Sequence, residues 1–175
     1  MLEELVHSMQ REIFKKIPFI NFLSLEDISE RSNALAEQLA KEKPDLVIGI
    51  ANGGRYTSNI IANYLGIKEV KIHIGRKRPL LLGVDLSEIA IAGKISGYLK
   101  RDPYLIGKIP EIEEEKILLV DDDCWTGKSI KLAKKLIEEV QPKARVISAT
   151  LLAYEDQFSP DYYGEMVVPK NCLCR

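Results

Sequence analysis

The stretch ILLVDDDCWTGKSI at residues 117–130 sets an apolar run against three consecutive aspartates, Asp121, Asp122 and Asp123, followed by Thr126-Gly127-Lys128-Ser129. Carboxylates at a strand end accept hydrogen bonds from a sugar diol, each charge-assisted bond contributing roughly 1.5–3 kcal/mol. The Thr-Gly-Lys-Ser turn opens a helix whose exposed amides and dipole favour a phosphate. Gly127 lets the backbone approach such an anion closely, and Thr126 and Ser129 add hydroxyl donors. Acids and anion loop want ligands of opposite character, and a ribose bearing a 5′-phosphate offers both. A Walker A loop is excluded, because Asp122 stands where its first glycine belongs. No dinucleotide fingerprint is present either. The plainer alternative is a polar loop whose acids cap neighbouring amides.

Such residues need a sheet to hold them. Leu46-Val47-Ile48-Gly49-Ile50 is a continuous apolar run, the pattern of a strand buried on both faces. Asn52-Gly53-Gly54 follows, then a helix containing Ile60, Ile61, Tyr64 and Leu65 that stops at Gly66. Val70-Lys71-Ile72-His73-Ile74 alternates as a strand does. Residues 117–120 read as a second buried strand, Ser129 to Val140 as a helix, and residues 145–152 as a further strand. In that helix Ile130, Ala133, Leu136, Ile137 and Val140 are expected to face inward. Upstream, residues 2–14 have amphipathic helical spacing. Ser24-Leu25-Glu26-Asp27 resembles a capping box opening a helix with Ile28, Leu35 and Leu39 on one stripe, closed by Pro44. Strand–loop–helix–strand occurs twice, which predicts an α/β fold: a doubly wound parallel sheet with helices on both faces. Ligands then collect outside the carboxyl ends of the strands, where Asp121 and Asp122 fall. Within residues 76–116 the pattern is weaker. Ser87 to Lys100 could be a helix, but Gly93 and Gly97 count against it, and the length suits a functional flap.

Bulk properties exclude some functions. A chain of 175 residues suits one domain. A net charge of −1 provides no global basic field for nucleic acid or a membrane surface. No apolar stretch approaches the ~20 residues of a membrane span. Cys124, Cys172 and Cys174 are an odd set without spaced pairs, suggesting neither a disulfide framework nor a zinc site. The cytoplasm is the expected location.

Asp121-Asp122, two further residues, Trp125 and Thr126-Gly127-Lys128-Ser129, following an apolar run, resemble the phosphoribosyl pyrophosphate (PRPP) signature of type I phosphoribosyltransferases. The likeness covers residues 25–75 and 115–175 and is strongest to the 6-oxopurine (xanthine, guanine, hypoxanthine) branch. It implies one domain over residues 1–175, with a core at about 25–152, a flexible or inserted segment at 76–116 and a small C-terminal hood at about 153–175. Ser159-Pro160-Asp161-Tyr162-Tyr163 through Val168-Pro169 looks like that hood. The resemblance implies a Mg²⁺-dependent enzyme that moves the 5-phosphoribosyl group from PRPP to a nitrogen of a nucleobase-like acceptor and releases pyrophosphate. Asp121, Asp122 and Asp123 are then the candidate catalytic acids, with Asp121 and Asp122 meeting the metal mainly through PRPP and water. Cys124, Trp125, Thr126, Gly127, Lys128 and Ser129 take the 5′-phosphate. Asn52, Gly53, Gly54 and Arg55 take the pyrophosphate. Arg76, Lys77 and Arg78 belong to a flexible loop, and Trp125, Tyr154, Cys172 and Leu173 line the base pocket. A homodimer is implied as well.

Four positions depart from the branch pattern. Trp125 stands where an aspartate usually faces the purine N7, and Tyr154 where a lysine bonds the 6-oxygen. No aromatic residue occurs around Lys170-Asn171-Cys172-Leu173 to stack on the base, and Asn52 replaces a basic residue before the glycine pair. Phosphate, ribose and pyrophosphate elements are intact, while base-reading elements differ. A non-catalytic PRPP or nucleotide sensor on the same fold is therefore the second reading. A PRPP synthetase-like enzyme shares the diol motif but is disfavoured by the short chain.

Overall fold

The computed structural model describes residues 23–51, 53–76, 80–81, 84–85, 102–154 and 158–167. The expected helices at residues 2–14 and 87–100, and the tail from residue 168, lie outside the described residues.

Helix α1 (Leu25–Leu39) opens on the capping box read from its sequence. Ser24 Oγ accepts the amide of Asp27 at 3.0 Å, and Asp27 Oδ2 accepts the amide of Ser24 at 2.9 Å. Leu35, Ala36 and Leu39 are fully buried. A 3-10 turn, Ala40–Glu42, and Lys43 in the left-handed region (φ 50°) lead into β1 (Leu46–Ala51). Helix α2 (Gly54–Leu65) returns the chain to β2 (Lys68–Arg76), parallel to β1. A two-stranded antiparallel pair, β3 (Leu80–Leu81) and β4 (Val84–Asp85), stands apart from the main sheet. Then come β5 (Pro103–Ile106), β6 (Lys116–Cys124), α3 (Lys128–Val140), β7 (Arg145–Tyr154) and β8 (Tyr162–Val167). The six-stranded sheet runs β5-β2-β1-β6-β7-β8, parallel except for β5, which lies antiparallel on the edge of β2.

The continuous apolar runs have the cause inferred for them: both faces are covered. Val47, Leu118 and Val120 pack on one face with Leu35, Leu39 and Ile61 of α1 and α2. Leu46, Ile48, Ile117 and Leu119 pack on the other with Ile130, Ala133 and Ile137 of α3. Each such side chain contributes about 1.5–3 kcal/mol by leaving water. Layers of helix, sheet and helix thus hold the carboxyl ends of β1 and β6 side by side.

Some boundaries differ from the sequence reading. Strand β6 was expected to end at Val120 but continues through all three aspartates, because β7 pairs with it as far as Cys124 and Ala153. Val140 points outward at the end of α3, and Tyr64 is half exposed on α2. The sheet is not wholly parallel. Residues 162–167, assigned to the hood, form the edge strand of the main sheet. Asp161 fixes that strand's entry: its Oδ2 accepts the Ser148 amide at 2.8 Å and the Ser148 hydroxyl at 2.7 Å, and its own amide donates to Ser148 Oγ at 3.1 Å.

Candidate active site

Strands β1 and β6 are parallel neighbours, pairing from Leu46↔Ile117 to Gly49↔Val120. Whatever follows β1 must therefore lie against whatever continues β6. A Cβ on Gly53 would overlap the Asp122 carboxylate. A Cβ on Gly54 would lie 2.7 Å from Asp121 Cα and 2.8 Å from the Val120 carbonyl oxygen. The glycine pair is thus needed for close approach to the acids, and the two motifs form one site.

The acids differ in setting. Asp121 is 7% exposed, whereas Asp122 and Asp123 face solvent. Burial, reinforced by the neighbouring Asp122 and Asp123 charges, pushes the Asp121 carboxyl well above the usual range. Asp121 Oδ1 accepts the Asp122 amide at 3.0 Å, and Asp122 Oδ1 accepts the Asp123 amide at 2.9 Å. The chemistry of such a cluster suits sugar hydroxyls or a cation with its water. Among the described residues no three side chains converge as a metal cage. One or two carboxylates fit Mg²⁺ that arrives with oxygen ligands of its own.

Beyond the acids the chain turns through Gly127 (φ 67°) into α3. That conformation favours glycine, and a Cβ here would also overlap the Phe158 ring. Helix α3 has no side-chain cap at Gly127 and no acidic residue in its first turn, so its own sequence does not offset the positive end of its dipole. Thr126 is exposed and Ser129 buried at this end. Lys128 Nζ bonds Asp102 Oδ1 at 3.1 Å. Cys124 is buried, its thiol 3.6 Å from the Phe158 carbonyl oxygen. Burial, then the Asp121 and Asp123 charges, raises that thiol to about 11, so it is a filler and not a nucleophile.

The rings of Trp125 and Tyr154 meet, with centroids 4.7 Å apart and planes at 36°. Trp125 is 48% exposed, leaving ring surface open to a ligand. Burial and the nearby Asp123 and Asp122 charges raise the Tyr154 phenol, keeping it a donor. The structure thus joins two of the four expected base-pocket residues. Cys172 and Leu173, like Asn52, Lys77 and Arg78, lie outside the described residues. Arg76 ends β2 opposite Pro103. Arg55, in the first turn of α2, lines an open cleft of about 350 Å³ with Tyr56, Asn59 and Lys71.

Three neighbours of the site were not singled out from the sequence. Phe158 closes over Gly127, and Asp102 holds Lys128. Thr150 pairs in register with Asp121, is fully buried, and has no hydrogen-bond partner for its hydroxyl among the described residues. A hydroxyl within the apolar run of β7 was the available signal for Thr150. Nothing local in the sequence pointed to Asp102.

The family described as phosphoribosyl transferase domain matches residues 21–172. None of the curated proteins compared matches the sequence. Solved structures similar to the chain include a purine phosphoribosyltransferase from Pyrococcus horikoshii, 22% identical, covering 86% of this chain and 93% of that one, with a TM-score of 0.63. A hypothetical protein from Neisseria gonorrhoeae with bound ppGpp is 18% identical, with coverages of 84% and 82% and a TM-score of 0.62. The xanthine-guanine-hypoxanthine phosphoribosyltransferase of Helicobacter pylori is 16% identical, with coverages of 83% and 88% and a TM-score of 0.57. At these identities the likeness is one of fold.

Proposed function

The chain belongs to the phosphoribosyl transferase domain family, and on that premise we propose how its residues divide the work of moving a 5-phosphoribosyl group from PRPP to a nitrogen of a nucleobase-like acceptor. The observation that carries the assignment is the packing of Gly53 and Gly54 on Asp122 and Asp121. It supports a reading in which the glycine turn holds pyrophosphate beside acids that hold a ribose diol, with the positive end of α3 beyond them.

Asp121 and Asp122 accept the ribose hydroxyls. The backbone from Asp123 to Ser129, together with the Thr126 and Ser129 hydroxyls, holds the 5′-phosphate at the N-terminus of α3. Backbone amides of Gly53 and Gly54, with Asn52 and Arg55, hold the pyrophosphate. In the reaction the C1–O bond to pyrophosphate breaks and a C1–N bond to the acceptor forms. The cationic sugar between these events is stabilised by the nearby carboxylates. Mg²⁺ bound with PRPP through Asp121 and Asp122 would neutralise the departing pyrophosphate. Asp123 is the residue we assign to take the proton lost by the acceptor nitrogen. Trp125 offers the acceptor a stacking face and Tyr154 a hydrogen-bond donor. A homodimer and a cytoplasmic location belong to the same reading.

The Trp125–Tyr154 contact also favours a second reading. With an aromatic pair in place of the aspartate and lysine of the 6-oxopurine branch, the site suits a non-catalytic sensor of PRPP or a nucleotide. An assay of pyrophosphate release from PRPP and Mg²⁺ against a panel of nucleobases decides between them. Base-dependent release supports the transferase. Tight PRPP binding with no release for any base establishes the sensor.

A further inference from the structure

Lys128 is the first residue of α3, where a helix presents its positive end. A lysine is electrostatically misplaced there unless an anion accompanies it. The first turn contains no acidic residue and Gly127 supplies no side-chain cap. The carboxylate found with Lys128 comes from Asp102, just before β5, at 3.1 Å. Lys131, one turn along, is otherwise engaged, with its Nζ 4.7 Å above the Phe158 ring.

We propose that Asp102 is the resting partner of Lys128, a stand-in anion that the substrate's 5′-phosphate displaces. The proposal rests on the assignment of this helix end to the phosphate and adds a residue that opposes its arrival. The exchange is favourable for two reasons. Asp102 is 85% exposed and Lys128 40% exposed, so the resting pair is solvent-screened and weak. A phosphate at the helix end would receive backbone amides as well as the ammonium, and charge-assisted bonds to a dianion are the stronger kind. Asp102 is therefore a positioning residue. It holds the Lys128 ammonium at 3.1 Å and sets a threshold that an incoming phosphate must exceed.

The test is calorimetry of the full chain with ribose 5-phosphate for wild type, Asp102→Asn, Lys128→Met, the double variant and Asp102→Glu. Removing the competing carboxylate should tighten binding by about two- to fivefold, the range that exposed ion pairs give. In the Lys128→Met background the same change should have no effect beyond error. Asp102→Glu should restore wild-type affinity. Unchanged or weaker binding by Asp102→Asn overturns the proposal. An equal gain with and without Lys128 also overturns it, since that is general charge repulsion with no exchange of partners. If folded wild type does not bind ribose 5-phosphate at all, the phosphate assignment fails and the exchange with it. Binding by wild type with no response at Asp102 refutes the exchange alone.

Discussion

The Asp122 carboxylate rests on the bare Cα of Gly53, where any side chain would overlap it. Two segments far apart in the chain meet there because β1 and β6 are parallel neighbours. The acids and the glycine turn are therefore mechanically coupled, and the two glycines differ in what they protect.

Gly53→Ala pushes against the end of a side chain, which rotates away at modest cost. PRPP affinity should fall at least tenfold while the melting temperature changes little. Gly54→Ala instead meets backbone at 2.7 and 2.8 Å, so the sheet end itself must shift. A loss of about 1–3 kcal/mol in stability is expected, as for other overpacked sites. Denaturant melts and calorimetry on both variants check the contrast. Full PRPP affinity in Gly53→Ala would mean that the position of Asp122 is not needed for binding.

Asp161 gives the fold a pH-dependent tie. Burial alone would raise its carboxyl, but the amide and hydroxyl of Ser148, with Lys134 nearby, hold it below the usual range. A depressed acid stabilises the fold above its unfolded pKa of about 3.9, and that stability is lost as pH falls through the folded value. Asp161→Asn should therefore cost about 1–2 kcal/mol at pH 7, allowing for solvent screening, and clearly less at an acidic pH below the ordinary carboxylate range. Equal destabilisation at both pH values would assign the effect to packing instead of charge.

The acceptor side is expected to be poor for 6-oxopurines. Tyr154 offers one neutral donor where the branch has a lysine, and Trp125 has no acceptor for the purine N7. A site lacking a partner for a substrate polar group discriminates heavily against that substrate. Guanine and hypoxanthine turnover should be weak or absent in wild type, and Trp125→Asp with Tyr154→Lys together should raise it. Efficient wild-type turnover of either base would show that other residues read the purine.

Much of this was legible in the sequence because it depends on local rules. The capping box at Ser24 and Asp27 is a spacing of three residues, and the two-faced burial of β1 and β6 shows as unbroken apolar runs. The acids, the glycine turn, Trp125 and Tyr154 were each named from the sequence, but the contact between the two rings was not. Tertiary pairing decided the rest. No local signal tells that β6 stays in the sheet through Asp123, because β7 holds it there. The edge strand at Tyr162–Val167 follows the anchoring of Asp161 to Ser148, and its largely solvent-facing residues, with Gly164 among them, carry little strand signal. The Asp102–Lys128 pair is likewise a contact between elements, readable only from their placement.

The most direct test of the ribose-phosphate site is calorimetric titration of PRPP with Mg²⁺ into wild type and into Asp121→Asn/Asp122→Asn. Asp121 is disfavoured as an anion in the fold, by burial and by its two neighbours. Its cost is absent in acid and grows as pH rises past the ordinary carboxylate range, so removing both charges should leave stability at pH 7 unchanged or slightly higher. We expect wild type to bind PRPP and the folded double variant to lose binding at least a hundredfold. PRPP binding of equal affinity in both proteins would remove Asp121 and Asp122 from the site and the ribose assignment with them.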